Sequence, residues 1–333
     1  MKAKANSTLK KKVVYDPAPA PDVVLYGAYF AVVGTIGLGL AYGSSTLNDF
    51  VSSGFSFNSL KESIDNFHWN RGVTHGSTLT FLAAVHIVYI ILLQLVQAYS
   101  NQRKTIPGWV PATRKAHNVF LAGLSAFMLV ALVVGGIMDN RFSSFYRFGC
   151  QREVENQNGL TVWAMYIFYL SKMLEFIDTF FLIISKKKVI LLHKVHHLTT
   201  MSLVWHSLNS NLPSEIICGG LNCFVHTLMY AYYAFPEGNR WLRQYMTSTQ
   251  ILQFVFCLIA LCGAFISRAQ GSPCQGTVGA EIHGIIMYGV YLAMFAAFFV
   301  SNYCKKKSKK GNKKEGDQPQ PVSEARKSKA PAV

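Results

Sequence analysis

Residues 189–208 read VILLHKVHHLTTMSLVWHSL, an apolar run of membrane-spanning length with three histidines near its start. His193, His196 and His197 are spaced i, i+3, i+4, which places the three imidazoles on one face of a helix. Ionisable side chains at membrane depth are costly, so several on one face usually line an interior chamber where chemistry or transport takes place. The run therefore predicts a membrane helix that presents an imidazole cluster to the inside of a helical bundle.

The whole chain has the composition of an integral membrane protein. It has 333 residues, of which 51% are hydrophobic and 14% are charged, and the apolar residues occur in long blocks. We predict an all-α polytopic fold, a bundle of seven or eight membrane-spanning helices. The predicted spans are residues 23–42, 76–99, 119–138, 161–184, 189–208, 216–234, 246–266 and 282–303.

The distribution of Lys and Arg predicts the orientation of the bundle. If successive connections alternate between the two sides, most basic residues fall on the side of both termini, which the positive-inside rule places in the cytosol. Topology thereby explains most of the net charge of +16, and we expect no nucleic-acid partner. Span 23–42 follows five lysines and lacks a small-residue cleavage site, so we interpret it as a retained span and not a signal peptide. If it does not span, seven helices remain and the N-terminus lies on the opposite side.

Two polar tails and two cysteines complete the layout. Residues 1–22 form a polar N-terminal tail, and residues 304–333 are expected to be a disordered, basic cytosolic tail that contacts anionic lipid. Cys150 and Cys274 fall in connections on the side opposite the termini. If that side is the oxidising lumen, we predict a disulfide between them. The other cysteines show no metal-ligand spacing, and those within spans are expected to pack as small apolar residues.

Three further predicted spans carry polar residues on one face at helical spacing. Any one such stripe could be structural, because polar residues in membrane bundles often hydrogen-bond to neighbouring helices. At about 1.5 Å per residue, however, the central residues of all four stripes lie about 9–12 Å from the cytosolic ends of their helices, which indicates one polar chamber. The four stripes are Lys172, Glu175, Asp178 and Thr179; His193, His196 and His197; Asn222, His226, Met229, Tyr230 and Tyr233; and Thr247, Gln250 and Gln253.

Basic residues surround the cytosolic mouth of this chamber, which suits an anionic, phosphate-bearing substrate that enters from the cytosol. They are Lys186, Lys187, Lys188, Arg240, Arg243, Arg114 and Lys115. The remaining histidines are isolated in the sequence, and we expect them to be structural or solvated. These are His68, His75, His86, His117, His206 and His283.

The four stripes, in order, resemble the motifs of the ELO-type fatty-acid elongases. The motifs K-x-x-E-x-x-D-T, H-x-x-H-H, N-x-x-x-H-x-x-M-Y-x-Y-Y and T-x-x-Q-x-x-Q occur here at residues 172–179, 193–197, 222–233 and 247–253. The resemblance covers about residues 76–305 and implies a six-helix barrel around an acyl tunnel that is closed toward the lumen. It further implies a membrane domain at residues 76–303, preceded by an additional N-terminal span and connection at residues 23–75. It also implies residence in the endoplasmic reticulum membrane.

The activity that the resemblance implies is the condensing step of fatty-acid elongation. An acyl-CoA and malonyl-CoA would give 3-oxoacyl-CoA, CoA and CO₂, with no bound cofactor and no metal. The expected partners are these two substrates, the lipid bilayer, and the ketoreductase, dehydratase and enoyl reductase that complete the elongation cycle. The chain length and the unsaturation of the acyl group stay open.

The motifs suggest a role for each residue. No cysteine lies in the four motifs, and a histidine can instead attack the thioester and carry the acyl group as an acyl-imidazole. We predict His196 as this nucleophile and His226 as its partner, with the other catalytic side chains orienting the rings. These orienting residues are His193, His197, Asp178 and Glu175, and the predicted substrate-binding residues are Asn222, Gln250, Gln253, Tyr230, Tyr233, Lys172, Lys187 and Arg243.

Two other protein classes share parts of this pattern. A membrane di-iron desaturase or hydroxylase also carries H-x-x-H-H, but it needs about eight histidine ligands in several clusters, and this chain has ten histidines with one such cluster and His226. A transporter would use its midplane charges for an ion or ligand, and it predicts interrupted helices with a pathway open to both sides. The apolar lumenal halves of the predicted spans favour a closed tunnel instead.

Overall fold

The computed structural model describes residues 57–150, 159–237 and 240–304, and within these ranges the regular structure is entirely helical. The predicted span 23–42, the N-terminal tail and residues 305–333 lie outside the described residues. The helices are α1 Phe57–Asp65, α2 Leu79–Gln102, α3 Val110–Met138, α4 Phe145–Gly149, α5 Gly159–Ile184, α6 Leu191–Asn209, α7 Ser214–Ala234, α8 Arg243–Ala269 and α9 Val278–Phe299. Short 3₁₀ turns occur at Arg141–Ser143 and Arg240–Leu242, and a π-helical turn, Val300–Cys304, extends α9.

Seven of the eight predicted spans coincide with helices of the structure, namely α2, α3 and α5 to α9. Four of them, α2, α3, α8 and α9, are long and apolar enough to cross a membrane by length and composition. The protein is therefore a multi-pass membrane protein. The other three helices, α5, α6 and α7, carry the charged and polar residues of the first three motifs.

The start of α3 corrects the predicted span boundaries. The helix begins at Val110, nine residues before the predicted start of its span, and it has a proline in its first turn. Proline fits this position because its missing N–H would be unpaired there in any case. The added turns carry Arg114, Lys115 and His117.

Six helices form a closed circuit of contacts. Going round it, α5 contacts α3, α3 contacts α7, α7 contacts α8, α8 contacts α9, α9 contacts α6, and α6 returns to α5. Helix α2 is not part of the circuit and packs against α5 and α6. Large apolar side chains of α2 and α3, such as Ile87, Phe127 and Ile137, are exposed in the structure, as expected for surfaces that contact lipid.

Helix α5 is the most enclosed element, because nearly all of its side chains are buried. It also approaches α3 closely, since a Cβ atom on Gly135 would lie 2.4 Å from Thr161 Oγ1. Charged residues on such a helix must find partners within the protein, because lipid offers no hydrogen bonds. The polar motif of α5 is therefore directed at neighbouring helices.

A disulfide joins two of the connections. Cys150, directly after α4, pairs with Cys274 between α8 and α9, with their Cα atoms 4.9 Å apart. Close by in the chain, Arg268 donates to both carboxylate oxygens of Glu281 at 3.0–3.3 Å, and Glu281 is completely buried. These bonds fasten the connection between α8 and α9 to the bundle.

Candidate active site

A buried network links the first and third motifs across the α5–α7 interface. Lys172 Nζ donates to Glu175 Oε1 at 2.6 Å and to Asn222 Oδ1 at 3.1 Å. His226 lies between the same two acceptor residues, with Nδ1 3.4 Å from Glu175 Oε1 and Nε2 3.3 Å from Asn222 Nδ2. Lys172, Glu175 and His226 are all buried. Predicted catalytic residues from two helices are thus in direct contact.

The hydrogen bonds of this network define the tautomer of His226. Lys172 has only donors, so it fixes the Oδ1 atom of Asn222 as an acceptor and directs the Nδ2 amide toward the imidazole. Asn222 Nδ2 then donates to Nε2, and Nδ1 faces the Glu175 carboxylate at 3.4 Å. This is the arrangement in which a carboxylate orients a histidine for proton transfer.

The histidine motif of α6 faces α5 through His193. Thr179 Oγ1 lies 2.9 Å from His193 Nε2, and the hydroxyl of Tyr89 lies 2.8 Å from the same Thr179 oxygen. The rings of His193 and His197 are 4.1 Å apart, and His197 is buried. Tyr89 on α2 therefore supports the motif from outside the six-helix circuit.

His196 faces α9. Its ring lies 5.3 Å from the ring of Tyr291 and 5.5 Å from that of His197. Tyr291 is held by a 2.6 Å hydrogen bond between its hydroxyl and Thr199 Oγ1. His196 also lies within electrostatic range of His226 and Glu175 of the buried network.

Asp178 has two neighbours. The hydroxyl of Tyr230 donates to Asp178 Oδ2 at 2.7 Å, and His117 Nε2 lies 3.4 Å from Asp178 Oδ1. His117 is on α3, so a histidine that is isolated in the sequence lies against a motif residue in the structure. The neighbouring predicted binding residue Tyr233 is 49% exposed at the end of α7.

Helix α8 brings the fourth motif to α7. Gln250 Nε2 lies 3.2 Å from the sulfur of Met229, a residue of the third motif. Thr247 and Gln253 are buried. The four motifs thus lie on two adjoining pairs of helices, α5 with α6 and α7 with α8, and the pairs meet where α5 contacts α7.

Three basic side chains of the predicted mouth lie near one another. Partial desolvation, together with the charges of Arg114 and Arg243, lowers the pKa of Lys187. The other basic residues differ in their contacts: Lys186 donates to the backbone oxygen and the hydroxyl of Ser100, and Lys115 lies over the ring of Phe235 at 4.7 Å. Among the described side chains, Lys187 thus lies within electrostatic range of Arg114 and Arg243.

Other histidines also find partners. His206 and His283 place their Nδ1 atoms 2.9 Å apart, and His86 contacts the backbone oxygens of Leu82 and Leu198. Within the residues that the structure describes, no three His, Cys, Asp or Glu side chains converge in a way that could hold a metal ion.

Tyr89 and His117 also lie at this site, although the sequence patterns did not indicate them. His117 lies about 10 Å along α3 at about 1.5 Å per residue, the same depth as the four stripes. Depth would have identified it if the predicted span had included the polar first turns of α3. Tyr89 lies in a uniformly apolar span, and its role depends on the rotation of α2 about its axis.

A model of the GNS1/SUR4 family, abbreviated ELO, matches residues 74–311. The chain belongs to the ELO family. The match to ELO spans all four motifs together with Tyr89 and His117, so the resemblance inferred from the motifs is confirmed.

Individual relatives agree with this assignment to ELO. Fatty acid elongase A of Dictyostelium discoideum is 32% identical over 251 residues, which is 74% of this chain and 91% of that protein. Very long chain fatty acid elongase 5 of Mus musculus is 29% identical over 238 residues, or 68% of this chain and 75% of that protein. Very long chain fatty acid elongase 4 of Trypanosoma cruzi is 36% identical over 173 residues, or 50% of this chain and 60% of that protein.

Proposed function

We propose that this chain is an acyltransferase that catalyses the condensing step of fatty-acid elongation. An acyl-CoA and malonyl-CoA give 3-oxoacyl-CoA, CoA and CO₂. Relatives named fatty acid elongases support the process. The observation that carries the specific reaction is the buried contact of His226 with Glu175 and Asn222. It provides an oriented imidazole within electrostatic range of a second imidazole, His196.

The first half-reaction loads the acyl group onto His196. The imidazole nitrogen attacks the thioester carbonyl, a C–N bond forms, and the C–S bond breaks. The proton lost from the imidazole goes to the leaving thiolate, so CoA departs as a thiol. His226, oriented by Glu175 and Asn222, relays this proton.

The second half-reaction transfers the acyl group to carbon. Malonyl-CoA loses CO₂, and the electron pair of the broken C–C bond becomes an enolate. The enolate carbon attacks the acyl carbonyl, the C–N bond to His196 breaks, and the released nitrogen takes up one proton from solvent through His226. Gln250 and Gln253, with Asn222, provide amide donors for the oxygen atoms that carry negative charge in both steps.

The closed circuit of six helices supports a barrel around the acyl chain. In this arrangement the acyl chain extends into the apolar lumenal half and the CoA group stays at the cytosolic mouth. Lys187, Arg243 and Arg114 bind its phosphates as cations, Tyr233 lines the entrance, and the buried Tyr230 stands behind it against Asp178. His193, His197 and Asp178 hold the reacting rings in place.

The same proposal includes the cellular setting. The protein lies in the endoplasmic reticulum membrane with a cytosolic C-terminus. The disulfide between Cys150 and Cys274 supports a lumenal position for that end of the bundle, because disulfides persist in oxidising compartments. The 3-oxoacyl product requires a ketoreductase, a dehydratase and an enoyl reductase to become a saturated acyl-CoA two carbons longer.

The test uses the purified full chain with a panel of acyl-CoAs. With acyl-CoA alone we expect a burst of one CoA per enzyme and an acyl adduct on His196 in peptide mass spectrometry. Addition of malonyl-CoA then releases 3-oxoacyl-CoA. His196→Ala abolishes the burst, whereas His206→Ala, at the other end of α6, retains it.

Two results separate the parts of the proposal. Formation of 3-oxoacyl-CoA without any acyl adduct would refute the histidine intermediate, but the proposed condensing activity would stand. Absence of 3-oxoacyl-CoA with every acyl-CoA, in protein that unfolds cooperatively on heating, would refute the condensing activity itself.

A further inference from the structure

His117 belongs to none of the four motifs, yet it lies at the site. Its side chain extends from α3 and is only 6% exposed. The Nε2 atom lies 3.4 Å from Asp178 Oδ1, and it makes no hydrogen bond among the residues that the structure describes. The ring packs against Phe181 with centroids 5.5 Å apart. A buried ring nitrogen aimed at a carboxylate, with no other partner there, indicates a polar role.

Asp178 is thereby contacted from two sides. Its Oδ2 atom accepts a 2.7 Å hydrogen bond from Tyr230 on α7, and its Oδ1 atom faces His117 on α3. The ring of Tyr230 in turn meets the ring of His226 edge-on, with centroids 5.5 Å apart and planes at 83°. A continuous line of contacts therefore runs from His117 through Asp178 and Tyr230 to His226.

We infer that His117 is a positioning residue for the proposed condensation, and this inference rests on the proposed function. Its Nε2–H donates to Asp178 Oδ1 and fixes the carboxylate, which holds the hydroxyl of Tyr230. The Tyr230 ring then limits the rotation of His226. The 3.4 Å separation is longer than a well-formed hydrogen bond, and such contacts tighten when substrate is bound.

Three substitutions separate a donor role from simple packing. His117→Phe keeps a planar ring against Phe181 but removes the donor. His117→Gln places an amide N–H where the imidazole Nε2–H stands. His117→Asn carries the same amide on a side chain that is shorter by one C–C bond, so its N–H stops about 1.5 Å before that position.

The measurement is steady-state kinetics of 3-oxoacyl-CoA formation, with the melting midpoint of each variant recorded. We expect kcat of His117→Phe and His117→Asn to fall about tenfold to 100-fold, because small misplacements of reacting groups have effects of this size. We expect KM to change by less than about threefold, since a positioning residue acts through Asp178, and His117→Gln to retain kcat within about threefold. His206→Gln, a histidine far along α6, is the control and should match the original protein.

Each outcome decides the inference. If His117→Phe keeps full kcat, or if His117→Gln falls as far as His117→Asn, His117 does not act as a donor. If His117→Phe fails to fold, the contrast between Gln and Asn still decides. If the unsubstituted chain forms no 3-oxoacyl-CoA, the proposed function itself has failed, which is a different result from normal turnover in all three variants.

Discussion

Replacement of Lys172 by methionine tests the buried network most directly. Lys172 is 3% exposed, its Nζ lies 2.6 Å from Glu175 Oε1 and 3.1 Å from Asn222 Oδ1, and it lies 4.0 Å from the centre of the Phe168 ring. Methionine fills a similar volume but leaves the Glu175 carboxylate buried without its cation. Breaking one partner of a buried ion pair costs about 3–5 kcal/mol.

The expected change in melting temperature follows from this free energy. For a domain of about this size, 1 kcal/mol shifts the midpoint by about 2–4 °C, so Lys172→Met should melt about 6–20 °C lower. The assay is thermal unfolding in detergent, followed by tryptophan fluorescence. Adding Glu175→Gln to Lys172→Met removes the stranded charge and should recover most of the loss. The double variant should stay inactive, because His226 loses its carboxylate.

A matched control is available at the surface. Lys61 forms an ion pair with Asp65 on α1, and their side chains are 66% and 41% exposed. Exposed pairs contribute about 0–1 kcal/mol, so Lys61→Met should leave the midpoint almost unchanged. A midpoint for Lys172→Met within 2 °C of the original protein, or a double variant no more stable than the single one, would refute the reasoning.

Two further predictions concern stability. Replacing Cys150 and Cys274 by serine should lower the free energy of unfolding by about 4–5 kcal/mol, because the bond closes a loop of more than 100 residues. A reductant should lower the melting midpoint of the original protein but not that of the double variant. Equal responses of the two proteins to the reductant would contradict the prediction. On α3, Gly135→Ala should destabilise by about 1–3 kcal/mol because its Cβ would overlap Thr161. At Gly123 a Cβ atom would meet open space, so Gly123→Ala should instead stabilise the protein by up to about 1 kcal/mol through helix propensity. If both variants shift the melting midpoint in the same direction, packing at Gly135 is not the cause of its effect.

The sequence predicts the helices of this fold well for a physical reason. A long apolar segment in lipid must satisfy its own backbone hydrogen bonds, so length and hydropathy locate the spans. The predicted start of the α3 span, residue 119, was nine residues too late because Arg114 and Lys115 resemble a polar connection. In the structure the helix continues through these residues. That error removed His117 from consideration.

Contacts between helices are harder to predict than the helices themselves. Helical spacing shows which residues share a face, but the order of helices around the circuit and the rotation of each one are properties of the packed bundle. The contact between His206 and His283, and the support of Thr179 by Tyr89, depend on this packing. Each of the four motifs could be found because its residues lie on one helix at helical spacing. His117 and Tyr89 are single residues on their helices, so no spacing pattern points to them.

The contact between α6 and α9 has a consequence for biosynthesis. His196 and Thr199 meet Tyr291 across this interface, and it belongs to the closed circuit of helices. At about 5–20 residues per second, the ribosome reaches Tyr291 about 5–20 s after it has made His196. During that interval His196 lacks its contact with the ring of Tyr291. Completion of the site thus depends on completion of the chain through α9.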